Sequence, residues 1–145
     1  MSHGYTGKIL VADLTAGTVT VEEKGDAWYR THMGGAAAGM DYVLRGVPAG
    51  ADPLGPENVL TFFTGPLAGT AISGQSRMSV NCKSPLSGLI GDAQVGGFFP
   101  AELKMAGFDG VVIRGSSATP VYLWIKDGEY ELRDASAYWG MQTGE

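Results

Sequence analysis

An apolar run from Gly7 to Asp13 reads as a strand, Leu14 to Gly17 as a turn, and Thr18 to Glu23 alternates with period two. That spacing predicts a β-hairpin. Asp26 to His32 opens a short helix with Asp26 as its N-cap. Gly34 to Leu44 carries the clearest helical pattern, with Ala37, Met40, Val43 and Leu44 on one apolar face. Three prolines between Gly46 and Asn58 exclude a helix there. Val59 to Thr64 predicts a strand buried on both faces. Arg77 to Lys83 alternates, with Met78, Val80 and Cys82 on one side and Arg77, Ser79, Asn81 and Lys83 on the other. Phe99 to Ala106 predicts a helix with Pro100 in its first turn and with Glu102 and Lys104 exposed. Gly107 to Gly110 then turns into a strand at Val111 to Arg114. Thr119 to Lys126 and Glu129 to Arg133 flank Asp127-Gly128, a strong hairpin signal. Asp134 to Glu145 is a polar tail. Strands outnumber helices, and their order lacks the regular alternation of a Rossmann fold. The prediction is an α+β fold of mainly antiparallel sheets and a few short helices.

Composition narrows the class. The 145 residues suit one domain with a real core, taken as spanning 1–145. Twenty-three glycines beside 44% apolar residues indicate a turn-rich globular fold. A net charge of −5 argues against nucleic-acid binding. No apolar run approaches the roughly 20 residues that cross a bilayer, and the first residues lack a signal peptide's apolar core, so a cytoplasmic location is expected. Cys82 is the single cysteine, and His3 and His32 lie far apart, so no Cys/His cluster for zinc or iron–sulfur is present. With no histidine beside it, Cys82 reads as a small core residue.

The stretch from Thr64 to Phe99 stands out. It is poor in charge and rich in Gly, Ser and Thr, with Arg77 in its middle, and it is bracketed by apolar segments. Two readings fit: a main-chain surface holding a large anionic ligand, or a set of tight turns. The glycine-rich helix start at Gly34-Gly35 likewise permits anion binding or close helix packing. It lacks the full dinucleotide and Walker patterns, and close packing is favoured. Asp92 and Lys83 read as solvated or turn-forming, His32 as a surface or helix-end residue, and Tyr122, Trp124 and Trp139 as core or interface aromatics.

Taken in order, the segments Gly7 to Gly17, Asp52 to Asn58, Thr64 to Thr70, Lys83 to Gly88, Gly96 to Phe99, Glu102 to Asp109, Pro120 to Ile125 and Arg133 to Ser136, with Trp139-Gly140 beyond, carry a specific likeness. The chain resembles the N-terminal domain of the tungsten-containing aldehyde:ferredoxin oxidoreductases almost end to end. That resemblance implies a base for a tungsten (or molybdenum) bis-pyranopterin, whose metal is held by dithiolene sulfurs and by no protein side chain. It implies cofactor contacts at Arg77, Gln94, Gly96 and Gly97, with the Gln94 backbone carbonyl on a Mg²⁺ between the pterin phosphates. It places a [4Fe–4S] cluster, the catalytic groups and ferredoxin docking in a remaining region or a larger partner subunit, so that this chain alone is inactive, and it implies a homo- or hetero-oligomer.

Two departures qualify the likeness. Gln94 stands where the family has Asn, a minor change for a carbonyl ligand. Ala36 stands where relatives usually carry the arginine of Gly-x-Arg-Gly. Family members are also several times longer, which makes this chain a fragment or a small subunit, with Glu145 not fixed as a natural end. The competing reading is a non-catalytic cofactor-binding or interaction module that kept the fold.

Overall fold

A computed structural model describes residues 4–142 and Gly144; His3 and Glu145 lie outside the described residues. The opening hairpin forms as expected, with β1 (Lys8–Asp13) and β2 (Thr18–Glu23) antiparallel. Helix α1 (Asp26–His32) follows, but Gly25 is its N-cap and Asp26 lies inside the first turn, where its charge meets the positive end of the helix. Next come α2 (Gly35–Gly46), β3 (Val59–Thr64), β4 (Arg77–Lys83) and β5 (Ile90–Gly96). They are followed by α3 (Phe98–Met105), β6 (Gly110–Arg114) and the hairpin β7 (Val121–Lys126) and β8 (Glu129–Asp134). Strand β5 is not among the predicted elements.

The first six strands make one sheet in the order β2-β1-β6-β3-β4-β5, and β7-β8 make a second. Every pairing is antiparallel except β1 with β6. The α+β reading with mainly antiparallel sheets therefore stands. On one face of the large sheet, Ile9, Ala38, Val59, Phe63 and Val112 form a core closed by Trp28 and Tyr42. On the other, Leu10, Met78, Leu103, Phe108 and Val111 pack with Leu123, Ile125 and Tyr130 of the second sheet. The result is three layers, helices α1 and α2, the sheet, then α3 beside the hairpin.

Helix α2 meets the sheet through small residues. A Cβ on Gly39 would stand 2.3 Å from Asn81 Oδ1 and 2.6 Å from Thr61 Oγ1. The expected apolar face is therefore rotated. Ala38, Gly39 and Val43 are buried, whereas Ala37 and Leu44 face outward. Ser79 and Asn81 are buried beneath α2 as well, which uses up the polar side of β4. Cys82 is half-buried rather than a core residue.

Candidate functional site

Strands β4 and β5 bring Arg77, Gly96 and Gly97 to the lining of one cleft, while Gln94 lies two residues back along β5, outside that lining. Their register sets Arg77 opposite Gly96 and Ser79 opposite Gln94, and Gly97 follows directly as the N-cap of α3. Directly opposed residues of an antiparallel pair share a face. Arg77 and Gln94 thus lie on the α2 side of the sheet, in line with Ser79, whose hydroxyl would stand 3.5 Å from a Cβ on Gly35. Strand β5 is the sheet edge, so alternate residues turn backbone N–H and C=O groups away from β4.

A cleft of about 510 Å³ opens here, lined by Gly74 to Arg77, Gly96, Gly97, Phe98 and Ala101. Gly97 has φ 99°, a left-handed conformation that admits the turn from β5 into α3, and its carbonyl accepts a hydrogen bond from the Ser76 hydroxyl. A Cβ on Gly97 would meet nothing within 4 Å, so the backbone here faces open space. Gln75 braces the near wall. Its side chain accepts from Gly69 N–H at 3.1 Å and donates to the Thr70 carbonyl at 2.9 Å.

The electrostatics of this corner favour an anion. Arg77 is exposed and makes no ion pair among the described residues. The N-terminus of α2 lies beside Ser79 on the face towards which Arg77 alternates; it contributes no lining residue to the cleft, and no side chain caps its first-turn N–H groups. A guanidinium and uncapped helix amides both attract phosphate.

A second cleft, about 820 Å³, lies at the opposite end of the sheet and is larger. Its charges satisfy one another: Arg114 with Asp13 at 3.1 Å, Arg45 with Asp41 at 2.6 Å, Lys24 with Glu22 at 3.0 Å, and Tyr42 donating to Glu22. Saturated ion pairs leave little to bind a ligand, so the smaller, electropositive cleft is the better candidate site.

Asp109 escaped the sequence reading. It is 2% exposed and sits at the head of β6. Its carboxylate accepts from Thr6 N–H at 3.0 Å, Gly7 N–H at 2.7 Å, the Tyr29 hydroxyl at 2.7 Å and the Lys104 ammonium. Its backbone carbonyl accepts from both Thr64 N–H at 3.0 Å and Thr64 Oγ1 at 2.9 Å. Burial pushes its carboxyl up, but the bonds from Lys104 and Tyr29 outweigh that and hold it below the usual carboxylate range. Burial and the bond to Asp109 push the Tyr29 phenol well above its usual range. Lys104, expected to be exposed, is the buried partner in this cluster. The sequence offers no local signal for it, because Gly107-Phe108-Asp109-Gly110 reads as a turn ahead of Val111-Val112-Ile113.

Other singled-out residues serve the scaffold. Lys83 donates to the Ala51 carbonyl at 2.5 Å, and Asp92 accepts from Asn81 Nδ2 at 2.9 Å. His32 ends α1 and is half-buried against Trp28. Trp124 lies under Arg133, and Trp139 is exposed. Among the described residues, no group of three or more His, Cys, Asp or Glu is placed to hold a metal ion, and no helix is long and apolar enough to cross a membrane.

Residues 9–145 match the sequence model of the aldehyde ferredoxin oxidoreductase N-terminal domain. The chain is 44% identical over 142 residues to a tungsten-containing aldehyde ferredoxin oxidoreductase of Pyrococcus abyssi, which covers 98% of this chain and 23% of that protein. It is 43% identical over 143 residues to the enzyme of the same name from Thermococcus kodakarensis, covering 99% and 24%. The chain thus spans less than a quarter of the length of these relatives. It is also similar to a chain in the active-site complex of a benzoyl-coenzyme A reductase, solved with 1,5-dienoyl-CoA. There the TM-score is 0.90 and the identity 36%, over 94% of this chain and 21% of that one.

Proposed function

Since the chain belongs to the aldehyde ferredoxin oxidoreductase family, we propose that it is the N-terminal cofactor-binding part of a tungsten (or molybdenum) bis-pyranopterin enzyme. That enzyme oxidises aldehydes to carboxylic acids, with ferredoxin as electron acceptor. One observation carries the reading. The β4–β5 register puts the unpaired Arg77 guanidinium opposite Gly96, at a sheet edge and on the side of the uncapped start of α2.

The residues present fit the group. A cofactor that brings its own metal-binding sulfurs asks for phosphate-binding donors and accessible backbone rather than thiolates, and the cleft offers these. The cofactor supplies the two-electron redox chemistry when bound. Arg77 pairs with phosphate or pterin oxygens through its planar fork of donors. Gly96 and Gly97 present main-chain groups at close range, and the Gln94 carbonyl is a hard oxygen ligand of the kind Mg²⁺ takes. The [4Fe–4S] cluster, the catalytic groups and the ferredoxin contact belong to the remaining region or a partner subunit, and this chain alone is inactive.

The test is tungsten, molybdenum and pterin content of the full-length protein purified from its own host under exclusion of air, compared with Arg77→Ala. Losing a charge-assisted pair costs about 1.5–3 kcal/mol, or roughly ten- to a hundred-fold in affinity. The variant should lose cofactor on that scale while its unfolding free energy changes by no more than about 0.5 kcal/mol, as for an exposed side chain. Unchanged occupancy would remove Arg77 from the site. Metal and pterin without aldehyde oxidation would favour a binding module, and absence of both would leave an interaction domain.

A further inference from the structure

We infer that Asp109, acting through Lys104, is a positioning residue for the cofactor cleft. It would set the relative placement of the two walls between which the cofactor sits. The inference rests on the cofactor reading above, but its observations concern the protein alone.

The two walls come from separate parts of the chain. One is the loop Gly74 to Arg77, and the other is the first turn of α3, with Phe98 and Ala101. Lys104 lies three residues after Ala101, hence on the same side of the helix. Its ammonium is fixed on Asp109, and its side chain is only 9% exposed. Its aliphatic stem is the surface on which the loop rests, since a Cβ on Gly69 would stand 3.5 Å from both Lys104 Cβ and Cγ. Gly69 is in turn bonded to Gln75, which lines the cleft, and Gln75 O accepts from Arg77 N–H at 2.9 Å. A continuous line of contacts therefore runs from Asp109 through Lys104, Gly69 and Gln75 to Arg77.

Asp109 also fixes this line to the rest of the fold. Its carboxylate holds the amides of Thr6 and Gly7 and the hydroxyl of Tyr29, and its carbonyl holds Thr64, where the loop leaves β3. Tyr5 stacks on Tyr29 at 4.2 Å, and the Lys104 ammonium lies 5.5 Å from the Tyr5 ring. Three segments distant in sequence, Thr6–Gly7, Tyr29 and Thr64, thus converge on one residue, the first two on its side chain beside Lys104 and the third on its carbonyl. A buried carboxylate with this many donors has a single arrangement available to it, which is what a site needing sub-ångström placement requires.

The experiment uses full-length holoprotein and reads tungsten and pterin per chain together with the thermal midpoint. Lys104→Gln keeps the Cβ and Cγ on which the loop rests and removes the charge; Lys104→Arg keeps the charge; Asp109→Asn removes the charge and replaces one acceptor oxygen with a donor. Val59→Ala, in the core at the far end of β3 where it pairs with Arg114, supplies a control that loses stability without touching the line. Groups that orient ligating residues typically carry about 10–100-fold in affinity. Lys104→Gln and Asp109→Asn should therefore lose about ten-fold or more in cofactor retention, Lys104→Arg should recover most of it, and Val59→Ala should stay loaded. If Asp109→Asn does not fold, Lys104→Gln with its Arg rescue decides alone. Loaded Lys104→Gln protein, an Arg variant no better than Gln, or Val59→Ala losing cofactor in step with its midpoint would each overturn the positioning role. A wild-type protein holding neither tungsten nor pterin would instead overturn the cofactor reading, a distinct result.

Discussion

A carboxylate as buried as Asp109 keeps its charge only because four donors surround it. This has a pH consequence whose sign is fixed. The folded-state pKa lies below the ordinary value, so the unfolded chain takes up the proton first as pH falls. Asp109's contribution is then complete above about pH 4 and is lost as pH drops through the depressed folded value. Urea midpoints measured between pH 6 and pH 3 should fall less steeply in Asp109→Asn than in the wild type. Equal slopes would deny Asp109 this share of acid sensitivity. Gly39 is the other residue with a defined consequence. Its missing Cβ lets α2 lie against Asn81 and Thr61, so Gly39→Ala should destabilise by about 1–3 kcal/mol, by urea unfolding, as overpacking does. Neither role was legible in the chain. An acid in Gly-Phe-Asp-Gly reads as a turn, and a glycine within a helix does not reveal what it faces. Arg77 was legible, because it is the one guanidinium in a stretch otherwise poor in charge.

Elements whose backbone logic is local were legible. The β7–β8 turn places Asp127 at φ 50° and Gly128 at φ 86°, the two left-handed residues that a two-residue hairpin loop requires. Gly128→Ala should cost about 1–2 kcal/mol in a denaturant titration, all of it conformational, because no atom lies within 4 Å of the added Cβ. A change near zero would mean that the turn reshapes freely. Strand β5 was not legible, since Ile-Gly-Asp-Ala-Gln-Val-Gly lacks alternation and has two glycines. What makes it a strand is seven residues of pairing with β4, a non-local gain that local propensity does not record. The rotation of α2 has a related cause. Of its buried residues, Val43 was on the expected face, but Ala38 and Gly39 carry almost no hydrophobic weight, so the pattern pointed to the larger Leu44 instead.

Across the whole molecule, large apolar side chains on the surface concentrate between residues 64 and 99: Leu67, Ile72, Leu86, Leu89, Phe98 and Phe99 are all exposed. They lie at both ends of the β4–β5 pair, Leu86 and Leu89 at its turn and Phe98 and Phe99 past its other end, and exposed apolar side chains promote association. The 145-residue chain in isolation should therefore self-associate in a concentration-dependent way on gel filtration, and a Leu86→Asp/Phe98→Asp double variant should shift it toward monomer. An unaltered elution profile would count against these residues as the adhesive surface. The order of strands in the large sheet has a different consequence, for how the chain comes into being. Strand β6, the last of the six to leave the ribosome, fills the gap between β1 and β3, pairing Ile9 with Gly110 and Val59 with Arg114. Until it arrives, β2-β1 and β3-β4-β5 are two half-sheets, each with an open inner edge that invites mispairing. Closure must span about a hundred residues of chain, so folding is slow and cooperative rather than stepwise along the sequence. A nascent chain arrested before Gly110 should stay sensitive to protease, and resistance should appear abruptly once Arg114 clears the exit tunnel. The centre of the sheet is the part made last, and both halves wait for it.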